Sequence, residues 1–154
     1  MRLAVGCDHA GLVLRNAVMA ELASRDIEVI DCGTSDPGSV DYPDFGARVA
    51  GMVSRGEANR GVLMCGTGIG MSMVANRFPG VRAAVVHDEF TAEMSRRHND
   101  ANVICLGGRT LAPAVAGKLV RIWLETQFEG GRHARRVEKI DAAGQAPRSG
   151  GCQK

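Results

Sequence analysis

Short apolar runs alternate with segments of helical periodicity along most of the chain. The runs have the length of β-strands, are rich in Val, Ile and Leu, and cover residues 2–6, 27–31, 61–65, 82–86 and 103–106. Between them, apolar residues recur every three or four positions, as in the series Leu14, Val18 and Leu22. Such alternation predicts right-handed crossovers and a parallel sheet covered on both faces. We therefore predict an α/β protein, a Rossmann-like three-layer α/β/α sandwich with a five-stranded parallel sheet. The pattern does not predict the order of the strands in the sheet.

Two further helices are predicted after the last strand. The first covers residues 111–128, with Leu119, Ile122 and Trp123 on its apolar side, and two consecutive glycines end it. The second covers residues 132–143 and aligns four basic residues on one face, namely Arg132, Arg135, Arg136 and Lys139. Such a face is most often a solvated surface, although this one has no acidic partners. Residues 144–154 are small and polar, so we expect a disordered tail after a single domain of residues 1–143.

Composition excludes several classes of protein. The chain has 154 residues, 45% of them apolar, which suits one domain with a proper core. No apolar run approaches the roughly 18 residues of a membrane span, and no signal-peptide pattern begins the chain, so we expect a cytoplasmic protein without a membrane partner. A net charge of +2 and 4% aromatic residues offer little to a nucleic acid. Five cysteines without a C-x-x-C pair predict reduced thiols.

The most informative stretch is GVLMCGTGIGMSMVANR, residues 61–77. An apolar strand ends in Cys65, and glycine then occupies every second position, at Gly66, Gly68 and Gly70, before a predicted helix. Glycines allow a tight turn that presents backbone N–H groups, and a helix N-terminus adds partial positive charge. We therefore predict an anion-binding loop with a thiol and the Thr67 hydroxyl beside it.

Two other interpretations of this stretch stay open at this point. The glycines also resemble a dinucleotide-binding fingerprint with Asp88 near the expected ribose position, although Met71 stands where the third Gly or Ala belongs. Cys65 is alternatively a small buried apolar residue, the fate that we expect for Cys7 and Cys105. Its place at the mouth of an anion-binding loop favours a reactive thiol instead.

Polar residues follow several predicted strands, at the edge where ligands bind in open parallel sheets. Asp8 and His9 follow the first strand, and Arg109 follows the fifth. His98 and Asn99 instead precede the fifth strand, which places them at the opposite edge of their own sheet. They reach a site at the carboxyl edge only if the loop folds back or a second subunit supplies them. A second subunit that supplies these residues would mean a dimer, which we predict.

Together these features favour one kind of chemistry. An anion hole, a thiol, two histidines and an arginine cluster suit proton transfer next to a carbonyl on a phosphorylated substrate. Fixed N–H groups would stabilise the developing enediolate more than the ground state. The thiolate would be the base. We identify no set of metal ligands, and we expect neither a metal nor another cofactor.

Five segments resemble a known family. They are GCDHAG at residues 6–11, DYPD at 41–44, CGTGIG at 65–70, RRHNDANV at 96–103 and EGGRHARRV at 129–137. In this order and spacing they resemble ribose-5-phosphate isomerase of the B type, in the family shared with the galactose-6-phosphate isomerase subunits. The resemblance covers residues 1–143. It implies an aldose–ketose isomerase that interconverts ribose 5-phosphate and ribulose 5-phosphate in the non-oxidative branch of the pentose phosphate pathway.

The resemblance also implies residue roles. Cys65 would move a proton between C1 and C2, and His98 would be the acid that opens the furanose ring. Asp8 and His9 would hold the sugar, and Tyr42 would line the pocket. The anion hole would consist of Gly66, Thr67, Gly68, Ile69 and Gly70, and Thr67 would donate to the enediolate. Asn99 would bind a sugar oxygen. The phosphate would be bound by four residues, namely His9, Arg109, Arg132 and Arg136. The site would lie between two subunits of a homodimer, one of which contributes the segment around His98 to Arg109, and assembly to a tetramer stays open.

The resemblance leaves alternatives for the activity. Some relatives replace the cysteine by a glutamate at the position of Met71, so this chain belongs with the thiol type. A six-carbon substrate such as allose 6-phosphate or galactose 6-phosphate would use the same pocket. A non-catalytic phosphate- or nucleotide-binding module would need only the glycine loop. Arg135 and Lys139 match no site residue and are expected to be surface charges.

Overall fold

The computed structural model describes residues 1–145 and contains a five-stranded sheet with six helices. In chain order the elements are β1 (Arg2–Cys7), α1 (Leu12–Ala23), β2 (Glu28–Asp31), α2 (Tyr42–Ser54), β3 (Arg60–Cys65), α3 (Ile69–Ala75), β4 (Ala83–Val85), α4 (Glu89–Arg97), β5 (Val103–Gly107), α5 (Pro113–Glu125) and α6 (Arg132–Gln145). The tail predicted over residues 144–154 falls outside the described residues, except for the two that end α6. Within residues 1–145, no helix has both the length and the hydropathy needed to span a membrane.

All strand pairs are parallel, and the order across the sheet is β2-β1-β3-β5-β4. The prediction of an α/β fold with a five-stranded parallel sheet is therefore confirmed. From β1 the chain first winds outward to β2 and then crosses to β3 on the other side of β1. This reversal opens a crevice between the carboxyl ends of β1 and β3, where ligands bind in such folds.

The two faces of the sheet bury two separate apolar clusters. Strand residues alternate between them, so that Val62 and Met64 join the cluster under α1 and α5, whereas Leu63 and Cys65 join the cluster under α2 and α3. The fully buried Trp123 on α5 is the largest residue in the first cluster. Helices on both faces thus give the predicted three layers.

The helix limits differ from the sequence-based prediction near the C-terminus. α5 is shorter than the predicted 111–128, because Pro113 occupies its first turn and Thr126 adopts an extended conformation with ψ 129°. The Thr126 amide and hydroxyl both donate to the Ile122 carbonyl and complete the helix end. Gly130 and Gly131 both have positive φ angles, 65° and 55°, which let the chain reverse before α6.

Glu21 is a buried carboxylate that joins α1 to α5. Arg121 donates to both of its oxygens, at 2.8 Å for the shortest contact, and Arg25 donates to Oε1 at 3.0 Å. The hydrogen bond from Arg121 is the main cause that lowers the pKa of Glu21, while burial opposes it. Glu21 therefore stays ionised near neutral pH and holds the two helices together.

Replacing Glu21 by Gln should lower the free energy of unfolding by about 1–3 kcal/mol near neutral pH, because two guanidinium groups lose their charged partner. The folded-state pKa of Glu21 lies below the ordinary 4.5, so its contribution is complete above that value and is lost as the pH falls through the folded-state pKa. Urea unfolding of wild type and variant at about pH 7 and about pH 3 measures this dependence. Glu125→Gln is the control, since Glu125 also pairs with Arg25 but is 57% exposed. An equal loss at both pH values would contradict the assignment.

Candidate active site

A cavity of about 260 Å³ lies in the crevice at the carboxyl ends of β1 and β3. It gathers residues that are distant in sequence and that sequence analysis had singled out: Asp8, His9, Tyr42, Cys65, Gly66, Thr67, Gly70 and Arg109. A larger depression of about 490 Å³ between α1 and α5 is lined by alanines and by the Glu21–Arg121 ion pair. Of these two cavities, only the smaller one gathers a thiol, a histidine and a glycine loop, and it is therefore the candidate active site.

Cys65 is the last residue of β3 and is 5% exposed. The amide of Gly68 donates to its sulfur over 3.1 Å. Such a hydrogen bond stabilises a thiolate more than a thiol, since a full negative charge is the stronger acceptor. The Cys65 carbonyl accepts from Gly108 at 2.7 Å, and the Gly66 carbonyl accepts from Arg109 at 2.9 Å. The loop after β5 is thereby fixed against the glycine loop.

Gly68 and Gly70 are needed in the loop for different structural reasons. Gly68 has a left-handed φ of 79°, and a Cβ there would lie 3.1 Å from the Cys105 backbone. Position 70 favours glycine, because a Cβ there would lie 2.6 Å from the Tyr42 ring. Ile69 is 48% exposed, and its amide donates to the Thr67 hydroxyl over 3.4 Å. The loop thus turns sharply at Gly68 and is covered by Tyr42 at Gly70.

Asp8 and His9 extend from β1 into the same cavity. Asp8 is 5% exposed, and its Oδ1 accepts the Gly11 amide at 2.8 Å, which fixes the carboxylate. His9 accepts the Val40 amide at Nδ1 over 3.2 Å. A neutral His9 therefore carries its proton on Nε2 and can donate it to a ligand oxygen. Both side chains are oriented before any substrate binds.

Cys7 and Cys105 differ from Cys65 in their surroundings. Both are fully buried, and burial is the main cause that raises the pKa of each thiol. Cys105 lies inside β5, whereas Cys65 ends β3 and reaches the cavity. The expectation that Cys7 and Cys105 are buried apolar residues is confirmed.

Other predicted site residues lie away from this cavity. His98 follows α4, a helix that returns from the carboxyl edge, and so it lies toward the amino edge of the sheet as the sequence predicted. Asn99 lines a separate cavity of about 190 Å³ together with Arg82 and Ile140. Arg132 and Arg136 are exposed on α6. One chain therefore carries two groups of site residues that do not share a cavity. The expectation that one segment supplies both His98 and Arg109 to a partner is wrong for Arg109, because its amide is bound to Gly66 and its side chain lines the Cys65 cavity of the same chain.

His98 forms a cluster with Glu129 and His133, two residues to which sequence analysis gave no role. The His98 and His133 rings are parallel, with centroids 4.2 Å apart. Their Nε2 atoms lie 3.6 and 3.5 Å from Glu129 Oε2. The motif EGGRH contained the signal, because two glycines that reverse the chain return the fourth residue after Glu129 to its side.

Charges around this cluster are mixed. Arg97 donates to Glu129 Oε1 at 2.6 Å, which is the main cause that lowers the pKa of Glu129. Burial is the main cause that lowers the pKa of His133, and the positive charges of His98 and Arg132 add to it. Because Arg97 and Arg132 already contact Glu129 and His133, their charges oppose a bound cation.

Asp88, the residue of the dinucleotide interpretation, caps α4. Its Oδ1 accepts the Thr91 amide at 2.7 Å and the Thr91 hydroxyl at 2.8 Å. The hydrogen bond from the Thr91 backbone is the main cause that lowers the pKa of Asp88. A structural role therefore accounts for Asp88 without a ribose contact.

Comparison with known proteins identifies relatives across nearly the whole chain. The sequence model of a family described as Ribose/Galactose Isomerase matches residues 3–140. Ribose-5-phosphate isomerase B of Escherichia coli is 45% identical over 141 residues, which cover 92% of this chain and 95% of that protein. A D-erythrulose-4-phosphate isomerase of Pectobacterium atrosepticum is 40% identical, over 91% of this chain and 93% of that protein.

A solved structure agrees with these sequence comparisons. The structure of Clostridium thermocellum ribose-5-phosphate isomerase B superposes with a TM-score of 0.91 at 48% identity, over 94% of this chain and 98% of that chain. The resemblance inferred from the five segments is confirmed. The chain belongs to the ribose/galactose isomerase family, as its sequence and its fold both show.

Proposed function

We propose that the protein interconverts ribose 5-phosphate and ribulose 5-phosphate, with Cys65 as the base. The observation that carries this proposal is the Cys65 sulfur in a small polar cavity under the Gly68 N–H, with Thr67, Asp8 and His9 around it. The relatives named ribose-5-phosphate isomerase B support the reaction type. A cavity of about 260 Å³ suits a small sugar phosphate better than a dinucleotide.

The geometry suggests how the proton moves. The thiolate takes the proton from C2 of the open-chain aldose, the C–H electron pair forms the C1–C2 double bond, and negative charge develops on O1. The glycine-loop N–H groups and the Thr67 hydroxyl stabilise this enediolate. The thiol then returns the proton to C1 while the O2 hydroxyl proton passes to O1, which gives the ketose. Met71, at the place of a glutamate in some relatives, is fully buried and accepts no proton.

The complete site is proposed to need two subunits. Asp8, His9 and Tyr42 would contact the sugar in one protomer, where His9 and Arg109 would also contact the phosphate. His98, Asn99, Arg132 and Arg136 lie outside this cavity in the same chain and would come from the partner of a homodimer. His98 would open the furanose ring, and the exposed arginines would bind the phosphate. We propose that this dimer works in the cytoplasm.

Substrate length has two specific alternatives, four carbons and six carbons. The family description includes galactose isomerases, and a relative carries the name D-erythrulose-4-phosphate isomerase. A pocket that positions C1, C2 and the phosphate discriminates by the distance between them. Four- and six-carbon aldose phosphates are therefore the substrates to compare with ribose 5-phosphate.

Isomerisation of ribose 5-phosphate should proceed in the presence of a chelator, because no step of the proposed reaction requires a metal. Turnover is measured with excess EDTA and compared with that on erythrose 4-phosphate, allose 6-phosphate and galactose 6-phosphate. We expect kcat/KM for ribose 5-phosphate to exceed the others by about tenfold or more. A higher value for another length would replace the assigned substrate. Tight nucleotide binding without any turnover would favour the non-catalytic module.

A further inference from the structure

Glu129 is fixed to the C-terminal end of α4 by two contacts. Its amide donates to the Arg97 carbonyl over 3.0 Å, and the Arg97 Nη2 donates to its Oε1 over 2.6 Å. The first contact holds the backbone next to His98, and the second selects one carboxylate oxygen. The other oxygen, Oε2, is left to face the two imidazoles.

The turn after Glu129 places His133 against His98. Gly130 and Gly131 have positive φ angles, and the His133 amide donates to the Gly130 carbonyl over 3.0 Å. His133 is 5% exposed, whereas the His98 side chain keeps 37% of its surface open. His133 thus forms a buried wall on one face of the His98 ring, and the open remainder of the ring stays available to a ligand.

The cluster places an ionised carboxylate and a neutral imidazole beside His98. The groups that surround the two rings are Glu129 before α6, Arg97 on α4, and Arg132 and Arg136 at the start of α6. The Arg97 guanidinium lowers the pKa of Glu129, so this carboxylate is ionised near neutral pH. Burial lowers the pKa of His133, so its ring is neutral there. The Nε2 atom of His98 therefore faces an anion, and the ring stacked on it carries no positive charge.

We propose that Glu129 is a positioning residue that orients the His98 imidazole for the ring-opening step. This inference rests on the proposed function, which assigns ring opening to His98. In that step the O1 hydroxyl proton leaves to water and its electron pair forms the C1 carbonyl. The C1–O4 bond breaks, and O4 takes the proton from His98, which solvent later replaces.

The variant Glu129→Gln tests this role, because it keeps the shape and removes the charge. Forward turnover of ribose 5-phosphate, which is mostly cyclic, should fall about tenfold, less than the roughly 10²–10⁴-fold of a whole general acid, because the variant keeps His98 itself. Deuterium uptake from solvent at C1 of ribulose 5-phosphate should stay within about twofold of wild type. That ketose cannot close a furanose ring because its C5 oxygen carries the phosphate, so its exchange needs Cys65 but no ring opening.

The control is Glu93→Gln. Arg97, which binds Glu129, also donates from Nη1 to Glu93 at 2.9 Å. Glu93 precedes Arg97 on α4 and is not part of the cluster of His98, Glu129 and His133. It should leave both turnover and exchange unchanged. An equal loss of turnover in both variants, or an equal loss of turnover and exchange in Glu129→Gln, would overturn the proposal by showing a general structural effect.

NMR contacts of the His98 ring protons separate this inference from the proposed function. The His98 and His133 rings are stacked with centroids 4.2 Å apart, so nuclear Overhauser contacts between them should weaken in Glu129→Gln and persist in Glu93→Gln. Unaltered contacts in Glu129→Gln overturn the positioning role, whatever the activity. Absence of both turnover and exchange in the wild type would instead overturn the proposed isomerase, while the ring contacts would still decide whether Glu129 orients His98.

Discussion

Cys65→Ala should lower the isomerisation of ribose 5-phosphate by about a thousandfold or more, since general-base catalysis contributes roughly 10²–10⁴-fold and no neighbouring group replaces the sulfur. Asp8, an acidic residue that lines the cavity, already accepts the Gly11 amide and follows a different strand. Met71 is fully buried and has no basic atom. Initial rates with ribose 5-phosphate, together with deuterium exchange into ribulose 5-phosphate, measure the effect. Both should be lost, because both need the proton acceptor.

The controls separate lost chemistry from lost folding. Cys65→Ser replaces the thiol by a hydroxyl of similar size and should be equally inactive, because a hydroxyl is far less acidic than a thiol. Cys32→Ala removes another buried thiol, one whose sulfur contacts Met52 rather than the cavity, and should keep near-normal turnover. Size-exclusion and circular dichroism should match the wild type for all three variants. Turnover of Cys65→Ala within tenfold of the wild type would refute the base assignment.

The fold was predictable because its signals are local. Runs of four to six apolar residues predict strands, and apolar residues at helical spacing predict the layers that cover the sheet. The strand order β2-β1-β3-β5-β4 was not predictable, since it depends on which edges pair and not on any one run. The two ends of α5 were also missed. Pro113 was a visible start signal, but only the extended conformation of Thr126 shows where the helix stops.

The cavity was partly predictable for the same reason. Parallel strands end at one edge, so Asp8, Cys65 and Arg109 had to lie near one another once the sheet was inferred. The position of His98 at the other edge followed from the same argument. The contact of His98 with Glu129 and His133 did not, because it depends on a chain reversal at Gly130 and Gly131 and on packing between α4 and the start of α6.

Two inactive variants should form an active enzyme when their subunits are mixed. In a shared site, Cys65 of one protomer works with His98 of its partner. A heterodimer of Cys65→Ala and His98→Ala subunits then has one site with both residues changed and one site with both intact. The separate homodimers contain no intact site. Random reassortment of a two-fold symmetric dimer should therefore restore about a quarter of the wild-type sites.

This subunit mixing is the most direct test of a shared, thiol-dependent isomerase site. The two variants are partly unfolded together, refolded at equal concentration and assayed with ribose 5-phosphate, and the heterodimer is quantified through a tag on one subunit. A mixture of Cys65→Ala with itself, treated in the same way, controls for refolding. We predict that activity rises from near zero to about a quarter of the wild-type value in proportion to the heterodimer. Heterodimer that forms without any gain in activity would contradict it.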